Sequence, residues 1–324
     1  MSNSNQPINI PTYDDVLIAH ERIKPYIHKT PVLTSRFLNE LTGAELFFKC
    51  ENLQKAAAFK VRGACNAVFG LSDDKARIGV ATHSSGNHAL SLSYAAGQRG
   101  IPVTVVMPKT APQAKKDAVI GYGGTIVECE PSTTSRETVF AEVVAESGAD
   151  FVHPYNDPRV IAGQATCSKE LVSQVADLDA VVAPIGGGGM ISGTCLTLSN
   201  IAPNIKIYAA EPVNADDAAR SFKAGHIIAD DAPSTVADGL KVPLKDLTWH
   251  FVKNHVSDIL TATEDEIVAA MKLIWLRMKI VVEPSSAVTL AIILKYPEVF
   301  KGKRIGVILT GGNVDLDKLP WMHN

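Results

Sequence analysis

Short apolar runs alternate along the chain with helix-length amphipathic segments, and this rhythm limits the fold more than any other feature. Ile78 to Thr82, Val103 to Met107, Thr125 to Glu128, Phe151 to His153, Ala180 to Ile185, Lys206 to Ala210 and Arg304 to Leu309 read as strands. The best helical pattern between them is Glu264 to Lys279, where Ile267, Met271, Ile274 and Met278 recur at spacings of four, three and four. Thr263 followed by Glu266 has the form of a capping box at its start. Strand and helix in alternation predict an α/β chain with parallel sheets and helices on both faces. No repeat, low-complexity segment or long linker interrupts the rhythm, so composition draws no domain boundary.

At 324 residues the chain is long enough for roughly two domains. Thirty-one Lys and Arg against 34 Asp and Glu leave a charge of −3, with the basic residues scattered and aromatics at 6%, which excludes a nucleic-acid binder. The first fifteen residues hold no Lys or Arg and no apolar core of signal length, and read as a disordered lead-in. The longest apolar stretch, Ala287 to Leu294 with Thr289 included, is far short of the roughly 20 residues of a membrane span. Cys50, Cys65, Cys129, Cys167 and Cys195 form no C-x-x-C pair and read as buried thiols in a reducing compartment, so a cytoplasmic protein is expected.

In parallel sheets, ligands gather at the carboxyl ends of strands. Three such junctions stand out: Ile78 to Thr82 leads into His83-Ser84-Ser85-Gly86-Asn87-His88, Ala180 to Ile185 into Gly186 to Gly189, and Arg304 to Leu309 into Thr310-Gly311-Gly312-Asn313. Four glycines between a strand and a helix expose consecutive amides, admit a phosphate without a Cβ in its way, and place it at a helix N-terminus. A plain flexible loop is the bland reading, but a linker would not sit tightly between an apolar strand and an apolar helix. No Lys-Ser or Lys-Thr follows for a Walker loop. The G-x-G-x-x-G register fails at Ile191 or Ser192, although Glu211 mimics a ribose-binding acid, so nicotinamide binding stays as a runner-up. Lys60, within Ala58-Phe-Lys-Val-Arg-Gly-Ala64, would by itself read as a surface lysine. Beside a phosphate cradle it gains a second reading, because a phosphorylated aldehyde cofactor needs a lysine amine. Together these signals point to pyridoxal phosphate.

The chain resembles the serine racemase and serine/threonine dehydratase family of fold type II pyridoxal-phosphate enzymes. The likeness runs through Thr30 to Ser35, Phe47 to Glu51, Ala58 to Gly63, Thr82 to His88, Gly186 to Gly189, Ala210 to Asp217 and Gly311 to Asp315. It implies a tryptophan synthase β-like α/β fold of two doubly wound domains with mainly parallel sheets. Residues 1–75 plus 154–324 would form the large cofactor domain, and 76–153 a small mobile one. It also implies that Lys60 carries the cofactor as a Schiff base with Phe59 against the ring, and that Gly186, Gly187, Gly188 and Gly189 hold the phosphate. Asn87 would bond the ring hydroxyl, and Glu283 and Thr310 would lie on the ring, Thr310 facing its nitrogen as a neutral partner that leaves it unprotonated. Lys60 and Ser85 would serve opposite faces of the substrate Cα. Ser84, Ser85, Asn87, His88, Arg136 and Tyr155 would surround the substrate, with His83 and His88 carrying no catalytic proton. Glu211, Asp217 and the carbonyl of Ala215 would take Mg²⁺, or Ca²⁺ or Mn²⁺.

The implied activity is interconversion of L- and D-serine with elimination to pyruvate and ammonia, in a homodimer. Ammonia-lyase action on L-threo-3-hydroxyaspartate or threonine is the alternative, and a nicotinamide-dependent oxidoreductase a more distant one. Two departures from the pattern stand out. Ala56 and Ala57 replace glycine or threonine in the turn before Lys60, and alanine resists positive φ, so a different loop conformation is expected. Among the positions where relatives bind a nucleotide effector, Ser35, Arg36, Phe37, Lys55 and Ala56, three are changed (Arg36, Phe37 and Ala56), which weakens the expectation of ATP as an effector.

Overall fold

The computed structural model describes residues 8–229 and 233–322. Among these, ten strands run as β1 (Val32–Leu33), β2 (Glu45–Cys50), β3 (Val80–His83), β4 (Val103–Pro108), β5 (Thr125–Cys129), β6 (Asp150–Phe151), β7 (Ala180–Pro184), β8 (Lys206–Pro212), β9 (Asp258–Ala262) and β10 (Arg304–Leu309). They form two sheets, ordered β1-β2-β10-β7-β8-β9 and β5-β4-β3-β6. Every pairing is parallel except β1 with β2.

Side chains alternate across each strand, and both faces of the large sheet are covered. Val181, Ala183, Ile207 and Ala209 enter a core with helices Pro158–Gln174, Gly189–Ile201 and Asp246–His255, while Val182, Ala210, Val307 and Leu309 enter another with helices Glu264–Met278 and Pro284–Lys295. The small sheet repeats the scheme. Val80, Val103, Val105 and Met107 pack against helices Lys60–Phe69 and Asn87–Arg99, and Ala81 and Val106 pack with Phe140 of helix Thr133–Ser147.

Several expectations need correction. Ile78 opens no strand; it ends helix Asp73–Ile78, which Ser72 caps, and Gly79 at φ +101° breaks the chain before β3. The lead-in is not uniformly irregular, because Thr12 caps helix Tyr13–Ile23 in a capping box with Asp15; residues 1–7 lie outside the described residues. His153 follows β6 rather than ending it. The predicted helix at Glu264 holds, ending at Met278 with Lys279 in the left-handed conformation. β2 and β9 escaped detection: Glu45 and Lys49 interrupt the apolar run of one, and Asp258 and Thr261 that of the other.

Three helices cross closely enough to fix the site. A Cβ on Gly63 would lie 2.5 Å from Gln164 Nε2, one on Gly163 2.6 Å from Gly63 Cα, and one on Gly193 2.6 Å from the Ala165 amide. Helix Pro158–Gln174 is thus a spine, touching the helix that begins at Lys60 on one side and the helix that follows the tetraglycine on the other. Among the described residues no helix is long and apolar enough to cross a membrane.

Candidate active site

Lys60 is the first residue of helix Lys60–Phe69, and its Nζ donates to the Pro154 carbonyl at 2.8 Å, just past β6. Burial lowers its pKa to about 8, with Glu283 pulling the other way. The ammonium also lies 5.1 Å from the centroid of the Phe59 ring. The backbone around it is anchored to the loop after β10: Phe59 N–H donates to Thr310 O at 3.0 Å and Gly312 N–H to Ala57 O at 2.9 Å. Ala56 and Ala57 both adopt left-handed φ, +50° and +51°. Alanine's resistance therefore does not keep the turn out of this region, and those anchors, with Asn313 Nδ2 donating to Ala56 O at 2.9 Å, hold it there.

Gly186 to Gly189 are buried, and the amides of Gly186, Gly187 and Gly188 meet no acceptor among the described residues. Buried N–H groups are rarely left so, and at the N-terminus of helix Gly189–Ile201 they suit an anion. The glycines are also required by neighbours. A Cβ on Gly187 would lie 2.5 Å from the Tyr155 ring, one on Gly186 2.8 Å from Leu240 Cα, and one on Gly188, at φ +87°, 2.7 Å from Leu244. Lys60 and these amides fit pyridoxal phosphate: one amine for the aldehyde and a row of donors for the phosphate.

Asn87, the first residue of helix Asn87–Arg99, donates through Nδ2 to both Glu283 oxygens at 2.9 and 3.1 Å, and its Oδ1 accepts from Asn313 Nδ2 at 2.9 Å. Glu283 is buried; desolvation and the Asp238 charge raise its pKa to about 7 against the Asn87 bond. Thr310 is buried beside Ser286 and Gly311. These bonds join the loop after β3 to that after β10. Ser85 is exposed and Ser84 partly buried in that β3 loop, Ser84 Oγ accepting from Gly86 N–H at 3.3 Å.

His88 is locked: its Nε2–H donates to Val152 O at 3.0 Å, and burial and Lys60 push its pKa to about 3. Burial and the Arg136 charge lower His83 to about 4. His153, stacked edge-on to Tyr155 at 4.6 Å, is lowered to about 3 by burial and Lys245. All three imidazoles are thus held toward the neutral form. Arg136 is partly buried with Nε unpartnered, close enough to His83 and Tyr155 to shift both. Glu211 does not act as a ribose acid: its oxygens accept from the amides of Ala218 at 3.1 Å and Ala219 at 2.8 Å. Burial, then Asp217 and Asp216, raise it to about 9 against those bonds. Ala215 and Asp217 are buried nearby, but no group of three or more His, Cys, Asp or Glu able to hold a metal occurs among the described residues. In the effector region, Arg36 pairs with Glu40 at 3.1 Å and Phe37 lies under Arg277. All five cysteines are free and buried.

Two parts of the site were missed. Asn313 lies in a quoted segment but was given no role. The other is a buried charge cluster in which Arg62 donates to Glu51 at 2.7 and 2.8 Å and to Glu170 at 2.8 and 2.9 Å, while Lys49 donates to Glu170 at 2.7 Å. Four charged residues within or beside apolar stretches, Lys49, Glu51, Arg62 and Glu170, were its only available signal.

A family model described as pyridoxal-phosphate dependent enzyme matches residues 23–311. The chain is 76% identical to a beta-hydroxyaspartate dehydratase of Paracoccus denitrificans (strain Pd 1222), over 96% of this chain and 99% of that one. It is 52% identical to a serine racemase of Arabidopsis thaliana, over 93% and 92%. The solved serine racemase of Dictyostelium discoideum superposes with a TM-score of 0.91 at 48% identity, over 94% of this chain and 99% of that one. With the lysine, the glycine cradle and the fold in agreement, the chain belongs to the pyridoxal-phosphate dependent enzyme family.

Proposed function

We propose that the chain abstracts the Cα proton of small 3-hydroxy amino acids, racemising serine and eliminating its hydroxyl to give pyruvate and ammonia. The observation that carries this reading is Lys60, its pKa lowered by burial, held with the unpartnered amides of Gly186 to Gly188 by helices that cross at glycine contacts. When bound, pyridoxal phosphate supplies a carbonyl for the substrate amine and a conjugated ring that delocalises the electron pair left at Cα. Gly186 to Gly189 hold its phosphate, Phe59, Asn87, Glu283 and Thr310 its ring, and Lys60 its aldehyde. The Lys60 amine, its pKa lowered to about 8, is still largely protonated at physiological pH but gives up its proton more readily than an ordinary lysine, and takes or returns a proton at Nζ on one face. Ser85 Oγ does so on the other, so return from the opposite face inverts the centre. Ser84, Asn87 and the amides near His88 orient the substrate carboxylate.

Ammonia-lyase action on 3-hydroxyaspartate is the second reading. The relative at 76% identity favours it, and Arg136, with an unpartnered Nε beside Tyr155, suits a second carboxylate. Glu211, Asp217 and the Ala215 carbonyl are hard oxygen donors, and two buried carboxylates favour a divalent cation such as Mg²⁺. Residues 76–153 would move as a unit over the rest, in a homodimer in the cytoplasm, the free thiols suiting a reducing compartment. Arg36, Phe37 and Ala56 depart from the pattern of relatives that bind a nucleotide, which speaks against an ATP effector.

The test is a visible absorption band that borohydride removes, leaving the label on Lys60; a colourless protein retaining no cofactor sinks the reading. Assays of D-serine and pyruvate from L-serine, 2-oxobutyrate from threonine and oxaloacetate from 3-hydroxyaspartate then rank the substrates. Ser85→Ala is expected to abolish D-serine formation while leaving the absorption band and some elimination; unchanged D-serine production removes Ser85 from the mechanism.

A further inference from the structure

Lys245 stands at the start of helix Asp246–His255, where its N–H donates to Thr248 Oγ1 at 3.1 Å and Thr248 Oγ1 donates back to Lys245 O at 3.0 Å. Leu244, the residue before it, fills the space beside Gly188, where an added Cβ would meet it at 2.7 Å. The backbone of Lys245 is thus fixed next to the glycine cradle, while the residue itself is exposed. Rings lead from the same cradle to the loop after β3. Tyr155 packs on Gly187 and Gly189, His153 meets Tyr155 edge-on at 4.6 Å, and His83, the last residue of β3, meets His153 edge-on at 6.1 Å.

Cations border this row of rings. Beyond burial, the charges of Arg136 and Lys245 both bear on His83, with Glu137 opposing them, and those of Lys245 and Lys60 both bear on His153. Among the described residues neither Lys245 nor Arg136 forms an ion pair, and Arg136 Nε meets no acceptor. The imidazoles add N–H donors without charge. His153 Nδ1 accepts from the amides of Tyr155 at 3.2 Å and Asn156 at 2.9 Å, so the proton of the neutral ring sits on Nε2. Two unpaired cations around neutral donors suit an anion.

We propose that Lys245 is a specificity-determining residue, which together with Arg136 binds the side-chain carboxylate of a dicarboxylic 3-hydroxy amino acid. The inference deepens the second reading of function and rests on it. The two cations come from separate parts of the chain, Arg136 from helix Thr133–Ser147 and Lys245 from the loop beside Gly188, and a distal carboxylate joins them. Serine and threonine carry no such group and gain nothing from either charge.

Kinetics of the holoenzyme with L-threo-3-hydroxyaspartate and L-serine read this as a ratio. Lys245→Met is expected to lower kcat/KM for 3-hydroxyaspartate relative to that for L-serine by about ten-fold or more, mostly through KM, as one charge-assisted bond is lost. Lys245→Arg keeps the charge and is expected to recover most of the ratio. Calorimetric titration of the holoenzymes gives a readout free of turnover. Succinate, with two carboxylates and no amine, is expected to bind wild type and Lys245→Arg more tightly than Lys245→Met, whereas butyrate, with one carboxylate, is expected to bind all three alike. A ratio unmoved in Lys245→Met, or succinate bound equally by all three, overturns the proposal, and so does a wild type that eliminates from serine but not from 3-hydroxyaspartate. A protein that takes up no cofactor at Lys60 is a separate result, which overturns the reading of function beneath it.

Discussion

One alanine and one histidine show how single residues pay for the site. Ala57 is held at φ +51° by the Gly312 amide on its carbonyl. The left-handed region costs an alanine roughly 1–2 kcal/mol, more than glycine's extra chain entropy of roughly 0.5–1 kcal/mol. Ala57→Gly is therefore expected to raise stability by about 0.5–1 kcal/mol, read as a higher denaturant midpoint at unchanged slope. His88 is neutral in the folded protein down to a pKa of about 3, whereas the unfolded chain binds its proton near 6.5. Between these values the unfolded state holds more protons, so this histidine's contribution to stability falls as pH falls, by about 1.4 kcal/mol per pH unit. His88→Gln, which keeps a donor for Val152 O, is expected to lose less stability than wild type between pH 6.5 and 5, measured by urea unfolding at each pH. Equal losses in the two proteins would show that the imidazole is not held neutral. Lys60 and the tetraglycine were legible in the sequence because a strand, a glycine run and a helix start are local signals. The ordering of the Asn87, Glu283 and Asn313 contacts was not, since their partners lie 196 and 226 residues apart.

At the scale of elements, the site depends on where three helices meet. Gly63 and Gly163 let helix Lys60–Phe69 and helix Pro158–Gln174 approach, and Arg62 fastens the same crossing by pairing Glu51 at the end of β2 with Glu170 on the spine. The cluster is neutral overall: Arg62 and Lys49 against Glu51 and Glu170. Removing one member leaves uncompensated buried charge, so Arg62→Met is expected to cost about 3–5 kcal/mol. Thermal unfolding checks this, and cofactor occupancy is expected to fall with it as Lys60 loses its footing. Arg62→Met together with Glu51→Gln should recover part of that loss, because Lys49 and Glu170 then remain as a neutral pair. The segment Ala58 to Gly63 was read for Lys60, and Arg62 was given no role because its partners, Glu51 and Glu170, lie 11 and 108 residues away.

For the whole molecule, the two sheets are bridged at several points, and Lys115 of helix Gln113–Gly121 pairs with Asp238 at 2.9 Å beside the tetraglycine's neighbour Leu240. A partly exposed pair of this kind contributes little stability, about 0–1 kcal/mol. If residues 76–153 close over the substrate, however, the pair favours the closed form. Lys115→Ala is expected to leave the melting temperature nearly unchanged while raising KM for serine several-fold; an unchanged KM would count against that closure. The sequence by itself determined the α/β rhythm, the loops that end β3, β7 and β10, the lysine and the glycine run, because periodicity and chain-end chemistry are written within a few residues. Only the tertiary structure decided that Tyr155 fills the space a Cβ on Gly187 would need, that Arg62 is buried between two glutamates, and that Thr310 lies within hydrogen-bond distance of Ser286. Each of these depends on which distant atoms come within hydrogen-bond or van der Waals distance, and no local pattern carries that information.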